Sequence, residues 1–188
     1  PQPRQMRDFL VFEKHLRQAR ANRHLLGVGG QPSDPEKIEI PQVWFDQPIY
    51  YKCNRFSVIG PDVDVIRPSY CEFLDYELEF GIFIGREGKN ISRESAHEHI
   101  FGYCIFNDMS ARDAQMREMQ GKGKDFDTGN VLGPWLVTAD EIPDAKSLTM
   151  VARVNGEEWS RGSSADMHHS FSDMIAHVSR DETIKAGE

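Results

Sequence analysis

The stretch LDYELEFGIFIG, from Leu74 to Gly85, constrains the fold of this chain more than any other part of it. Apolar and acidic residues alternate in its first half, as they do in a strand with one buried face. The acidic positions of this half are Asp75, Glu77 and Glu79. The following residues, 82–84, are all apolar, which is typical of a strand inside a core. We therefore predict a strand over residues 74–84 that enters the core with acids along one side.

These acids need a positive partner. Like charges on alternate strand positions lie about 7 Å apart and repel, and burying them unpaired costs several kcal/mol each. A second apolar run, residues 100–108, ends in Asp108. If the two strands are neighbours, Glu77, Glu79 and Asp108 converge on one point. Three oxygen ligands without histidine or thiolate suit Mg²⁺, with Mn²⁺ or Ca²⁺ as substitutes. The alternative is a solvated face on which both glutamates pair with Lys or Arg.

The rest of the chain predicts a mixed fold. Residues 6–23 carry apolar residues at helical spacing and a basic outer face, so we expect an amphipathic helix there. Short strands dominate beyond residue 42, with helices between them in irregular order and no internal repeat. This order favours an α+β domain over a doubly wound sheet.

Composition excludes several classes of protein. The 188 residues suffice for one domain with a substantial core, and a net charge of −8 argues against a nucleic-acid binder. No run of 18 apolar residues and no secretory leader is visible, so we expect neither a membrane span nor secretion. The three cysteines match no zinc or disulfide pattern, which indicates a reducing compartment, the cytoplasm. A start without Met and a polar end predict that the working protein is longer.

Three motifs carry a family resemblance. The chain reads DYELEFGIFIG, then FNDMSARDAQ, then GKGKDFDTGNVLGPWLVTADEI. In content and in order these resemble the fumarylacetoacetate hydrolase family, most strongly over residues 74–142. The resemblance implies an α+β fold, a mixed β-sandwich roll of that family's C-terminal domain type with peripheral helices, usually in a homodimer. It also implies an N-terminal helical or lid segment over residues 1–40 and a catalytic domain over residues 41–188, whose last part we expect beyond Glu188.

The same resemblance implies a metal site. It assigns Glu77, Glu79 and Asp108 as ligands of a divalent cation, usually Mg²⁺. Some members of the family add an aspartate further upstream, and no position of this chain matches it in sequence. Asp75 is not a ligand in the family pattern, so we expect it to form a hydrogen bond or a salt bridge at the rim.

The resemblance also names the residues around the substrate. Lys124 matches the family's active-site lysine, whose ammonium group can donate to a developing enolate or oxyanion; the alternative is a solvated loop lysine. Arg112 and Gln115 follow Asp108 on a predicted helix, where the resemblance implies contact with substrate. The competing role of Arg112 is a structural ion pair, with Asp113 or Asp127.

A general base is harder to assign. Family members often carry a His–Glu dyad, H-x-x-E, on the N-terminal lid. His15 lies in the matching segment, but Gln18 stands where the glutamate would be. This departure puts a hydrolytic dyad in doubt, and the alternative for His15 is a surface histidine. His24 is a weaker candidate.

The expected activity follows from the resemblance. It implies a Mg²⁺-dependent hydrolase that cleaves a C–C bond in a 2-oxo acid or 1,3-diketone through a metal-stabilised enolate. Isomerases, decarboxylases and dehydratases of the same family, acting on hydroxy-dienedioates, oxaloacetate or 2-keto-3-deoxy sugar acids, are the alternative. Aromatic compound catabolism is the expected setting. Two other hypotheses stay open, a non-catalytic metal-binding member and a structural β-domain without metal.

Overall fold

The computed structural model describes residues 2–26 and 30–188. Its largest sheet has four strands, which are β3 (Val58–Ile59), β5 (Leu78–Ile84), β6 (Ile100–Asp108) and β8 (Asn130–Thr138). Their order in the sheet is β3-β8-β6-β5. β3 is parallel to β8, and the other pairs are antiparallel. The condition for convergence of the acids is met, since β5 and β6 are neighbours. The strand predicted over residues 74–84 is interrupted, and only Leu78–Ile84 belongs to this sheet.

Three antiparallel pairs of strands surround this sheet. They are β1 (Met6–Phe9) with β2 (Tyr50–Cys53), β4 (Leu74–Asp75) with β7 (Ser110–Ala111), and β9 (Thr149–Val154) with β10 (Glu157–Ser163). The β1–β2 pair joins the predicted N-terminal segment to a strand beyond residue 40. The domain boundary at residue 40 stays a prediction.

The helices are short. They are α1 (Glu13–Ala21), α2 (Gln42–Asp46), α3 (Arg112–Glu118), α4 (Gly121–Lys124) and α5 (Phe171–Val178). A capping box formed by Ser170 and Asp173 starts α5. Within the described ranges, none of the helices has the length and apolar character needed to traverse a bilayer. Helices and strands mix in irregular order, which confirms the predicted α+β class.

The prediction of a helix over residues 6–23 is wrong in its first part. Residues Met6–Phe9 form strand β1, and helix α1 begins only at Glu13. The apolar residues of this segment happen to match helical spacing. Backbone pairing with β2, from Met6 opposite Cys53 to Phe9 opposite Tyr50, overrides that local pattern.

Two apolar clusters fix the parts that carry the polar site. One cluster packs Tyr103 of β6 against Phe171 and Met174 of α5, so the sheet is covered by that helix. Another joins four residues around β7, α3 and α4, which are Cys71, Ala111, Ala114 and Phe126. The second cluster holds α3 and α4 beside the end of β6.

Candidate metal centre

Four carboxylates meet at one end of the sheet. They belong to Asp8, Glu77, Glu79 and Asp108, and each offers an oxygen within 4.8 Å of the others. Asp8 is placed by β1, where it lies opposite Tyr51 of β2. The other three acids come from strands β5 and β6 and from the residue just before β5. The sheet therefore brings together the three acids that the sequence predicted to converge, and it adds a fourth.

Two cationic side chains contact this acidic cluster. Lys124 Nζ is 2.8 Å from Asp108 Oδ2 and 3.0 Å from Glu77 Oε2, and the lysine side chain is only 3% exposed. Arg112 Nη1 is 2.6 Å from Glu77 Oε1. Glu77 therefore bridges the two cations, and Lys124 is a buried residue of the cluster instead of a solvated one.

A close backbone approach places Lys124. Gly123, its neighbour in α4, lies so near Gln115 of α3 that a β-carbon at position 123 would overlap the backbone of that residue. Only glycine allows the two short helices to pack this tightly. The packing turns Lys124 inward to the acidic cluster, while Lys122 remains exposed.

The surroundings shift the pKa values of the carboxyl groups in this cluster in opposite directions. Burial, reinforced by the neighbouring acids, raises the pKa of Asp8 and of Glu79 well above the ordinary range. Burial acts in the same direction on Glu77, but Lys124 and Arg112 outweigh it and bring its pKa to about 2. Glu77 is thus ionised at neutral pH, whereas Asp8 and Glu79 retain their protons to higher pH than ordinary carboxyl groups do.

One atom of the cluster lacks a partner. Asp108 Oδ2 accepts hydrogen bonds from Lys124 Nζ and from the Tyr51 hydroxyl, but Oδ1 of the same buried carboxylate has no hydrogen-bond partner among the described residues. A buried carboxylate oxygen without a partner costs a few kcal/mol unless a cation satisfies it. If Asp8 and Glu79 lose their protons, the four carboxylates carry more negative charge than Lys124 and Arg112 compensate. The oxygen-only donor set and its residual negative charge fit a divalent cation.

Arg112 takes different partners from those considered in the sequence. Its Nε is 2.9 Å from Asp75 Oδ2, and its Nη1 pairs with Glu77. Its ion-pair partners are therefore these two acids of the predicted strand, and not Asp113 or Asp127. The expectation of a salt bridge for Asp75 is confirmed. Gln115 Oε1 accepts from Arg112 Nη1 at 3.1 Å, and its amide donates to Gln120 at 3.0 Å. Arg112 and Gln115 therefore form one chain of polar groups that leads from Glu77 along α3.

His15 lies on α1 within electrostatic range of the cluster, although much of the residue is exposed. Burial lowers its pKa, and Arg112 and Lys124 lower it further against the opposing effect of Glu77. A neutral imidazole beside an acidic cluster is able to accept a proton at neutral pH. The role of His15 stays a prediction.

Sequence reasoning missed Asp8 and Tyr51. Asp8 lies in a four-residue strand, which is too short for its alternation to be told from a helical pattern. Tyr51 gave no signal at all, because only the fold brings its hydroxyl to Asp108. The sequence indicated Asp8 only through its location in the N-terminal segment, seven residues before the candidate base His15.

Comparisons with known proteins agree on one family. The model of the fumarylacetoacetate (FAA) hydrolase C-terminal domain matches residues 6–188. A mitochondrial oxaloacetate tautomerase of Homo sapiens is 38% identical over 157 residues, which cover 81% of this chain and 48% of that protein. An oxaloacetate tautomerase of Bacillus subtilis is 34% identical over 190 residues, which cover 100% of this chain and 58% of that protein.

A solved structure supports the fold. The fumarylpyruvate hydrolase from Pseudomonas aeruginosa, crystallised in complex with Mn²⁺ and pyruvate, matches with a TM-score of 0.76 over 98% of this chain and 75% of that one. Its sequence identity is 23%, so this likeness concerns the fold alone. The chain spans about half the length of the curated relatives it matches, between 48% and 58% in the first three.

Proposed function

Because this chain belongs to the fumarylacetoacetate hydrolase family, we propose that it is part of a divalent-metal-dependent enzyme that acts on a small 2-oxo acid through its enolate. The observation that carries the proposal is the buried Asp108 carboxylate, of which one oxygen accepts from Lys124 and the other has no partner in the part of the chain that the structure describes. Such a carboxylate suits a site in which a fixed ammonium group and a bound cation lie side by side.

The proposed cation is Mg²⁺, with Mn²⁺ as its substitute, held by Asp8, Glu77, Glu79 and Asp108. When bound there, it would polarise the 2-oxo group of the substrate as a Lewis acid. Lys124 would add a second positive charge beside the oxygen on which negative charge develops.

Two further side chains would orient the substrate. Arg112 and Gln115 are hydrogen-bonded to each other and continue the polar chain that begins at Glu77. A guanidinium group with a neighbouring amide suits the distal carboxylate of a dicarboxylic 2-oxo acid. This pair would therefore favour oxaloacetate-like substrates over neutral ketones.

Proton transfer between C3 and the 2-oxo oxygen is the proposed reaction. Two relatives, 38% and 34% identical, are named oxaloacetate tautomerases, and this reaction needs a base and charge stabilisation but no attacking water. His15 is the proposed base. The absence of a glutamate three residues after His15, where Gln18 stands, fits a proton transfer better than a hydrolytic dyad.

Cleavage of a C–C bond is the second candidate, and the neutral imidazole of His15 favours it. An imidazole within range of Glu77 and Lys124 is suited to activate a water molecule as well as to take a proton from carbon. A panel of oxaloacetate and acylpyruvates separates the two reactions, because only cleavage releases a second carbon fragment.

Calorimetric titration of Mn²⁺ and then oxalate, an analogue of the pyruvate enolate, tests the proposed site. We expect oxalate to bind only after Mn²⁺, and Glu79→Gln to abolish both steps. The matched control is Glu158→Gln, whose carboxylate lies on the exposed hairpin and pairs with Arg161. Binding of Mn²⁺ to Glu79→Gln with unchanged affinity would contradict the proposal.

The remaining expectations are proposals too. We propose a cytoplasmic homodimer, and light scattering on the purified protein measures the assembly. A monomeric mass at working concentration would exclude the dimer without touching the proposed chemistry.

A further inference from the structure

A three-residue link, residues 10–12, joins strand β1, which carries Asp8 of the acidic cluster, to helix α1, which carries the candidate base His15. Val11, in the middle of the link, is only 4% exposed. Any movement of this link changes the positions of both functional side chains.

The carbonyl groups of the link are held by residues from far along the chain. Leu10 O accepts a hydrogen bond from the indole Nε1 of Trp44 at 2.6 Å. Val11 O accepts from the backbone amide of His168 at 2.9 Å. Helix α1 itself starts without a side-chain cap at Phe12, so its approach depends on bonds to the link, which are these two and the bridge between Phe12 and Met167.

The donor Trp44 is itself held on several sides. Its side chain is fully buried, with 1% of the residue exposed, and it stacks on the ring of His168 at 4.9 Å between ring centroids. The Nε2 atoms of His169 and His168 donate to the backbone oxygens of Trp44 and Phe45, at 3.0 and 3.2 Å. The indole is therefore a rigid donor with little freedom to follow the link if the link moves.

We propose that Trp44 is a positioning residue, which acts through the Leu10 carbonyl to keep Asp8 at the acidic cluster and the His15 helix above it. The inference rests on the proposed function for its catalytic consequence. Its structural part, the fixation of the link, stands on the hydrogen bonds alone.

The physical reason is the cost of an unpaired carbonyl. Leu10 follows strand β1 directly and is half-buried, and its amide already donates to Ile49 O at 3.0 Å. Without the indole N–H, the Leu10 carbonyl gains a partner only by opening toward water. That opening would move Asp8, two residues away, and would loosen the start of α1.

Trp44→Phe tests the proposal, because it keeps an aromatic ring and removes the N–H donor. The matched control is Trp135→Phe, since Trp135 is 75% exposed on β8 and makes no bond to the link. Hydrogen–deuterium exchange over residues 10–22 should become about tenfold faster in Trp44→Phe and should be unchanged in the control. The dissociation constant of Mn²⁺ should rise about tenfold, as for other residues that orient a metal ligand.

The kinetic readout separates positioning from general destabilisation. In Trp44→Phe we expect kcat to fall several-fold, with little change in KM for the substrate at saturating Mn²⁺, because Arg112 and Gln115 do not depend on the link. A lower melting temperature with wild-type exchange over residues 10–22 and wild-type Mn²⁺ affinity would overturn the proposal.

A second variant covers the case in which Trp44→Phe does not fold. His168→Phe keeps the stacked ring and removes only the bond to Phe45 O, so it should loosen the link in the same direction by a smaller factor. Unchanged exchange over residues 10–22 in this variant and in any folded Trp44 variant would refute the proposal. If wild-type protein binds no Mn²⁺, the proposed function fails, and the exchange measurement still decides the role of Trp44.

Discussion

Lys124 Nζ lies 2.8 Å from Asp108 Oδ2, while the other oxygen of that buried carboxylate has no hydrogen-bond partner among the described residues. The two oxygens thus have different surroundings, since one accepts from a fixed ammonium group and the other is buried without a hydrogen-bond partner in the described ranges. A cation bound to the second oxygen would share Asp108 with Lys124. In the proposed function, the ammonium group would weaken cation binding slightly and would supply a second positive charge to the substrate.

Asp8→Asn should weaken metal binding, since this residue is the fourth acid of the cluster. We expect the dissociation constant of Mn²⁺, measured by calorimetry, to rise about 10- to 100-fold, because one charged ligand is replaced by a neutral amide of the same shape. The matched control is Asp140→Asn, an exposed acid of the turn after β8. A value equal to that of the wild type would mean that three acids suffice.

Lys124→Met should separate metal binding from turnover. Removing the ammonium group takes a like charge away from the cation, so Mn²⁺ should bind at least as tightly as before. The developing enolate loses its second positive partner, and kcat should fall about 100-fold or more, as measured by enolisation of oxaloacetate. The neighbouring Lys122→Met, on an exposed side chain, should leave both quantities unchanged. Equal losses in the two variants would remove Lys124 from the reaction.

Metal affinity should increase with pH. Burial, and after it the acids around them, raise the pKa of Asp8 and of Glu79, so in the folded protein these carboxyl groups keep their protons to higher pH than ordinary ones. A cation must displace these protons, so its dissociation constant should fall up to about tenfold per pH unit for each proton released, until the raised pKa is passed.

Asp8 and Glu79 give the stability of the metal-free protein the opposite dependence on pH. A carboxyl group with a raised pKa in the folded state contributes stability at low pH, and this contribution is lost as the pH rises from the ordinary carboxyl range through the folded value. Without metal, the free energy of unfolding should therefore decrease over that range. Calorimetry of Mn²⁺ binding in two buffers with different ionisation enthalpies counts the released protons, and a count of zero would contradict both expectations.

His15→Gln should lower kcat by about 10²- to 10⁴-fold if the imidazole is the base. Because burial, Arg112 and Lys124 lower the pKa of His15, the acid limb of the wild-type profile of kcat/KM should have its midpoint below the ordinary histidine value of about 6.5. The variant should lose this limb. His97→Gln, on an exposed turn, serves as control. An unchanged profile in His15→Gln would mean that His15 takes no part in the reaction.

The sequence was most informative where charge and periodicity disagreed with burial. The alternation of acids before the apolar run 82–84 predicted a strand over residues 74–84, which the structure divides into β4 and β5, and it indicated that these acids need a positive partner, because a buried strand cannot carry unpaired charge. Asp8 could not be found in this way. Its strand has four residues and gains its identity only from pairing with β2, a partner that lies more than forty residues further along the chain.

Ion-pair partners were the least predictable part. For the competing role of Arg112, a structural ion pair, the sequence indicates Asp113 or Asp127, yet Arg112 pairs with Asp75 and Glu77. The β4–β7 pairing brings Asp75 to the start of α3. Helical spacing ranks only neighbours on the same helix. The hydrogen bond from Trp44 to the link before α1 was equally invisible, since nothing local relates an indole to a carbonyl in another segment.

The separation of Asp8 from Asp108, about a hundred residues along the chain, has a consequence for how the protein comes to be folded. The cation site does not exist in the unfolded chain, and it is complete only after β1 has paired with β2 and β5 with β6. Because long-range pairings form slowly, the site should be among the last features to appear. A cation that binds only the finished site draws the equilibrium toward it by mass action. The supply of divalent cations should then govern how much of this protein survives in the cell, as well as how fast it works.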